Sequence, residues 1–291
     1  MFVYLNGTFH DKRDARVSVD DRGFIFGDGV YEVWRVVDGS LFEPERHRSR
    51  LLGGLRELEI AVPDELQGNA LWSIAERLLM ENDLRQGDAT LYVQVTRGAA
   101  PRAHYFPPPG TTPTLYIASS RFTPPVATVR ATGAAALTMP DVRWLRCDLK
   151  TIQLLPNVLG KQRAVAAGAI DSIFVRDGMV TEGTHTNVFA VVGGVVRTHP
   201  LDNFVLAGVT RAVVLELAAR LRIPAREDAV TIDELRAADE LFLTGTTTDV
   251  LGITRLDGAP VADGRPGPIT AALYEALADR LGLGAREAVG R

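Results

Sequence analysis

Asp21-Arg22-Gly23-Phe24-Ile25-Phe26-Gly27-Asp28-Gly29-Val30-Tyr31-Glu32-Val33 starts like a dinucleotide-binding fingerprint and then departs from it. After Gly27 and Gly29, the third glycine position is held by Glu32. A nucleotide-binding strand–turn–helix needs glycine there so that helix and strand can pack closely. The stretch therefore reads as a glycine turn leading into a strand over Val30 to Val37, not as the first turn of a doubly wound sheet. Strands and helices alternate unevenly on both sides of it, which predicts an α+β protein made of two α/β domains.

Upstream, Val3-Tyr4-Leu5 and Thr8-Phe9-His10 flank Asn6-Gly7, a strong hairpin signal. Ala15 to Val19 alternates and is expected as another strand. Downstream, Pro44 opens a helix with Leu51, Leu52, Leu55 and Leu58 on one face. Asp64 is expected to cap a second helix running through Leu66, Leu71, Ile74 and Leu78. Strands over Thr90 to Thr96 and Thr114 to Ser119 complete this part. Phe122 to Val126, with Pro124-Pro125 inside, reads as a linker. The expected organisation is a small domain over 1–121, a linker over 122–127 and a larger domain over 128–291 that carries Lys150. In the larger part, hairpins form around Asp177-Gly178 and Gly193-Gly194. Helices are expected at 151–168, 210–222 and 268–281, with a further one opened by the Thr231/Glu234 capping box.

Of 291 residues, 46% are hydrophobic and 23% charged, which places the chain among globular proteins. Its net charge of −4 argues against a nucleic-acid binder, which needs a basic footprint. One cysteine, Cys147, excludes an intrachain disulfide and a thiolate cluster. Histidines at 10, 47, 104, 185 and 199 follow no metal-ligand spacing. Gly160-Lys161 lacks the rest of a P-loop, and no Gly-x-Ser-x-Gly occurs. Met1 to Gly7 has no basic stretch and no long apolar run, so a cytoplasmic location is expected. Only Lys12, Lys150 and Lys161 offer a primary amine, which arginine cannot replace in chemistry that needs the neutral base.

Lys150 follows Arg143-Trp144-Leu145-Arg146-Cys147-Asp148-Leu149. A primary amine held near other cations and partly desolvated meets the condition for Schiff-base chemistry. Leu206-Ala207-Gly208-Val209-Thr210-Arg211 places a Gly and a Thr at a helix start, and Leu243-Thr244-Gly245-Thr246-Thr247-Thr248 ends a strand in hydroxyls. Each suits a phosphate, although either one alone reads better as an ordinary cap or turn. Arg50 adds a bidentate cation, Glu182 a carboxylate able to face a cationic ring nitrogen, and Arg102 with His104 a carboxylate fork. Together these groups are the components of a pyridoxal-phosphate enzyme.

The Asp21–Val33 run resembles the N-terminal part of fold-type IV pyridoxal-phosphate aminotransferases, as do Val180-Thr181-Glu182-Gly183 with Asn187-Val188-Phe189, and Gly208-Val209-Thr210-Arg211. The resemblance spans about Tyr4 to Asp257. Val95-Thr96-Arg97-Gly98 leading to Pro101-Arg102-Ala103-His104, and Arg143 to Lys150, are similar to the D-amino-acid aminotransferases of that family. The resemblance implies that Lys150 links covalently to pyridoxal 5'-phosphate and moves the proton, while Glu182 pairs with the pyridine nitrogen. It implies that Arg50, Val209, Thr210 and Thr246 hold the phosphate and that Leu206 packs on the ring. It also implies that Tyr31, Arg102, His104 and Thr247 bind substrate, with Arg102 and His104 supplied by the neighbouring subunit of a homodimer. The implied reaction is transamination between a D-amino acid, D-alanine or D-glutamate, and a 2-oxo acid. Branched-chain L-amino-acid aminotransferases and (R)-amine transaminases share the pattern. Aminodeoxychorismate lyases and a non-catalytic phosphate-ligand binder on the same fold stay open beside it. Thr184-His185-Thr186 and Gly245 stand where D-specific members carry serines, which leaves the side-chain preference open.

Overall fold

The computed structural model describes residues 1–283 and divides into two compact units. The first is Met1–Thr123 with Leu149–Leu154; the second is Pro124–Asp148 with the chain from Leu155 onward.

The first unit is an antiparallel six-stranded sheet with helices on it. Its strands are β1 (Phe2–Leu5), β2 (Thr8–Asp11), β3 (Gly29–Val37), β4 (Ser40–Leu41), β5 (Asp88–Thr96) and β6 (Thr114–Arg121), in the order β2-β1-β6-β5-β3-β4. Asn6 and Gly7 both take positive φ and close the β1–β2 hairpin. In β3, alternation sends Val30, Trp34 and Val36 into a core shared with Leu91, Val93 and Leu115. Over that core lie α2 (Pro44–Glu57), through Leu51 and Leu55, and α3 (Ala70–Glu81), through Leu71 and Leu78; α1 (Arg22–Phe26) precedes β3.

Two expectations fail here. Ala15 to Val19 forms no strand: it pairs with no neighbour, and Val17 and Val19 stay exposed. Alternation without a ladder to complete is not a strand. The helix expected from Asp64 is interrupted. Asp64–Leu66 makes a single 3-10 turn, Gly68 takes positive φ, and α3 begins only at Ala70.

The second unit holds α4 (Ala127–Thr132), β7 (Ala134–Pro140), α5 (Leu155–Ala166), β8 (Asp171–Arg176), β9 (Met179–Gly183), β10 (Asn187–Val192), β11 (Val195–Thr198), α6 (Val209–Arg220), β12 (Ala225–Glu227), α7 (Ile232–Arg236), β13 (Glu240–Gly245), β14 (Asp249–Leu256), β15 (Ala259–Pro260) and α8 (Pro268–Arg280). The sheet runs β12-β11-β10-β13-β14-β7-β8-β9, with β15 on β14. Strand β9 also returns to β10 through the Glu182–Asn187 pair, so the path closes on itself. Thr231 and Glu234 form both bonds of the capping box. The domain boundary falls between Thr123 and Pro124, inside the proline-rich stretch. Residues 284–291 of the expected larger domain lie outside the described residues.

Lys150 was expected in that larger domain, but its segment groups with the first unit. The cause is backbone bonding. Thr151 bridges Val30, the Tyr31 N–H donates to the Lys150 carbonyl at 3.0 Å, and the Ile152 N–H donates to the Gly29 carbonyl at 3.1 Å.

Glu240, at the start of β13, reaches the N-terminus of α8. Its carboxylate accepts from the Ile269 and Thr270 amides at 3.0 and 2.7 Å and from Thr270 Oγ1 at 2.6 Å. Removing it leaves helix-start donors buried without their acceptor. Glu240→Ala should cost about 2–3 kcal/mol, read as a lower urea midpoint at unchanged slope.

Candidate active site

In the first unit the site is built on β3. Alternation places Glu32 on the core-facing side with Val30 and Trp34, and its exposure is 0%. A carboxylate there must be compensated. Helix α2, packed on that face, supplies His47 and Arg50. His47 Nδ1 lies 3.0 Å from Glu32 Oε1, and Arg50 donates to both carboxylate oxygens at 2.8 and 2.7 Å. Burial disfavours the charged form of Glu32. The charge of Arg50, hydrogen bonds from His47 and Arg50, and the charge of Lys150 outweigh it and hold the carboxyl well below the usual range. Burial, followed by the neighbouring cations, pushes His47 down despite its bond to Glu32. Lys150 Nζ stands 4.3 Å from the centroid of the Tyr31 ring, within cation–π range.

Both shifts are downward, so both make the fold acid-labile. As pH falls below about 6.5, the unfolded His47 takes a proton that its buried form resists. The contribution of Glu32 is complete above about pH 4.3 and is lost as pH falls toward its depressed folded value. Urea midpoints should therefore drop steadily from pH 7 to pH 3. Glu32→Gln should be weaker at pH 7 and flatter below pH 4.5, and an equally steep profile would refute the assignment.

In the second unit Glu182, Asn187 and Thr244 form a row across β9, β10 and β13, paired Glu182↔Asn187 and Asn187↔Thr244. Directly paired residues share a face. Glu182 is buried and ion-paired with Arg143, and its Oε2 accepts the Leu206 N–H at 2.9 Å. Asn187 Nδ2 donates to the Leu206 carbonyl at 2.9 Å and faces Glu182 at 3.3 Å. Arg143 is itself gripped by Asp141 through two nitrogens. Burial opposes its charge, but the bond to Asp141 and the charge of Glu182 raise it further above its ordinary value. Val209 and Thr210 are the first residues of α6, whose Gly208 cap offers no side-chain bond. A Cβ on Gly208 would lie 2.0 Å from Asn187 Oδ1, so only glycine lets the helix start approach this row. Thr246 and Thr247 lie in the turn after β13, bridged by the Thr248 N–H on the Gly245 carbonyl.

Thr244 Oγ1 is buried without a partner, and the α6 start has no side-chain acceptor. Those donors, the hydroxyl-rich turn and a fixed carboxylate fit a phosphorylated ring with a basic nitrogen. The residues present therefore suit pyridoxal phosphate.

Other residues expected at the site make these contacts. Arg50 was expected on a phosphate, and in the structure it grips Glu32. Arg102 and His104 lie exposed in the loop between β5 and β6. Among the described residues, no hydrogen bond or ring contact joins either of them to Tyr31. Leu206 meets Glu182 through its backbone N–H. His185 is 41% exposed, with Nδ1 3.7 Å from Asp171 Oδ2. Sequence reading assigned no role to Glu32, His47, Arg143 or Thr244. Of these, only Glu32 left a legible signal, a carboxylate in phase with the core residues of its strand.

The chain is 41% identical over 273 residues to a D-alanine aminotransferase of Staphylococcus epidermidis, covering 94% of this chain and 95% of that one. It is 38% identical over 282 residues to a D-alanine aminotransferase of Listeria monocytogenes, covering 97% and 96%. Among solved structures, a T.th. branched-chain amino acid aminotransferase complexed with N-(5'-phosphopyridoxyl)-L-glutamate superposes with a TM-score of 0.83 at 25% identity, over 97% of this chain and 94% of that one. Residues 29–256 match Amino-transferase class IV. The chain belongs to the class IV aminotransferases, which work with pyridoxal 5'-phosphate.

Proposed function

We propose that the chain is a cytoplasmic, homodimeric D-amino-acid aminotransferase, exchanging an amino group between D-alanine or D-glutamate and pyruvate or 2-oxoglutarate. The observation that carries the D-specific reading is the 41% identity to a D-alanine aminotransferase over 94% of the chain. Among the described residues, no helix is long and apolar enough to cross a membrane.

Bound pyridoxal phosphate supplies an aldehyde for the amino group and a ring that accepts the electron pair released at the donor Cα. The chain supplies the rest. Lys150 Nζ, near Glu32 and Tyr31, takes the proton from the donor Cα and returns one to the Cα of the acceptor. A base whose backbone is tied to β3 works on one face, so the handedness of the product depends on where the substrate carboxylate is anchored. Glu182, oriented by Arg143 and the Leu206 N–H, accepts the ring nitrogen's proton in a hydrogen bond. Val209 and Thr210, at the start of α6, and Thr246, in the turn after β13, would hold the phosphate. Tyr31 and Thr247, with Arg102 and His104 of the neighbouring subunit, hold the substrate.

D-Alanine, L-leucine, an (R)-arylamine and aminodeoxychorismate offered side by side rank the readings. D-Alanine should have the highest kcat/KM, and L-leucine as the best donor would overturn the D-specific assignment.

A further inference from the structure

Helix α1 is five residues long, too short to persist alone, and it is tied down at both ends. Asp21, buried at its N-terminus, accepts from the Gly23 N–H at 2.8 Å and from Thr96 Oγ1 and Thr114 Oγ1 at 2.9 and 2.6 Å. Gly27 closes the other end at φ +67°, where a Cβ would lie 2.7 Å from Gln153 Cγ. Between them stands Arg22, itself buried.

Arg22 Nε donates to Asp28 Oδ2 at 2.7 Å. Asp28 already has a cation, because Arg97 donates to its two oxygens at 2.8 and 3.0 Å and also holds the Leu58 and Glu59 carbonyls. Burying a second guanidinium beside a carboxylate already satisfied costs desolvation without need. What Arg22 adds is one bond: Nη1 donates to the Ala103 carbonyl at 2.8 Å. Ala103 is the residue between Arg102 and His104. The Phe26 ring, one turn along α1, lies 4.7 Å from Arg22 Cζ, 5.3 Å from Arg102 Cζ and 5.7 Å from the His104 ring. The loop is therefore pinned by its backbone at Ala103 while both neighbouring side chains contact the same Phe26 ring.

We propose that Arg22 and Phe26 form a platform that presents Arg102 and His104 as a preorganised fork for the substrate carboxylate. Arg22 and Phe26 are positioning residues, and their role rests on the reading that Arg102 and His104 anchor that carboxylate. Ordering two long exposed side chains before the substrate arrives removes that cost from binding. Losing the platform weakens carboxylate capture and leaves the chemistry at Lys150 intact.

The test uses the full-length holoenzyme and four variants: Arg22→Gln, Arg22→Lys, Phe26→Leu and Arg102→Ala. Four quantities are read: KM and kcat for D-alanine, the inhibition constant of propionate as a bare carboxylate, and the dissociation constant of pyridoxal phosphate. Arg22→Gln and Phe26→Leu should each raise KM and the propionate constant about tenfold, with kcat and cofactor affinity within about twofold. Arg22→Lys, which keeps a donor for Ala103, should recover part of the loss. Arg22→Gln added to Arg102→Ala should cost little more than Arg102→Ala alone. If Arg102→Ala weakens propionate and the platform variants do not, the platform is overturned and the anchor stands. If Arg102→Ala leaves propionate unchanged, the anchor reading fails and the platform with it. If kcat and cofactor affinity fall together with KM in both platform variants, the role is merely structural and the proposal is wrong.

Discussion

Lys150→Ala should lower kcat with any amino donor by at least about ten-thousandfold, the upper range for loss of a positioned proton carrier. The other lysines have no route to replace it. Lys12 lies in the turn after β2, and Lys161 on α5 gives its ammonium to the Ile170 carbonyl. The loss should be chemical and not structural. The Lys150 backbone, which ties its segment to β3, is untouched by the change, and Glu32 keeps Arg50 and His47. Stability should therefore change by about 1 kcal/mol or less, as for a lone partly exposed charge. Lys150→Arg should be equally inactive, because a guanidinium keeps its proton. Single-turnover kinetics with D-alanine check this, and a variant retaining a tenth of the wild-type rate would exclude Lys150 as the proton carrier.

Glu182→Gln should lower kcat about 10²- to 10³-fold, the scale for removing one preorganised electrostatic group. The amide keeps the shape of the side chain. It still offers one oxygen, but it replaces the other with a donor facing either Arg143 or the Leu206 N–H, both of which need an acceptor. Arg143 keeps its two bonds to Asp141, so the variant should fold with a loss of about 1–3 kcal/mol. Glu182→Ala removes both bonds and should be worse on each count. The discriminating comparison is kcat against urea midpoint. A stability loss with kcat within fivefold of wild type would make Glu182 a structural ion-pair partner only.

The parts of the fold legible in the sequence were those specified locally. Asn6-Gly7 must turn, the Thr231/Glu234 box must start a helix, and Pro124-Pro125 breaks the chain where the two units separate. Ala15 to Val19 was misread because a strand exists only with a partner to complete its ladder, and alternation carries no information about partners. Asp64 is not a cap: it is the first residue of a single 3-10 turn preceded by Pro63, and Gly68 at positive φ breaks the run before Ala70. Lys150 is one of three amines in the sequence, marked by its arginine-flanked segment and by the resemblance, while its attachment to β3 is carried by backbone hydrogen bonds that no side chain announces. Glu32 was noticed only as the residue that spoils a glycine fingerprint. Its phase with Val30, Trp34 and Val36 marked it as a buried carboxylate in need of a cation, and the helix starting at Pro44 held Arg50 and His47 for that purpose. Nothing in the sequence separates Arg143 from Arg146. One is buried on Glu182, whereas the other pairs with Asp148 half exposed.

Borohydride reduction of the cofactor-loaded protein, followed by digestion and mass spectrometry, locates the amine that holds pyridoxal phosphate. The label should appear on the peptide containing Lys150 and vanish in Lys150→Ala. A label confined to Lys12 or Lys161, or no label at all, would contradict it.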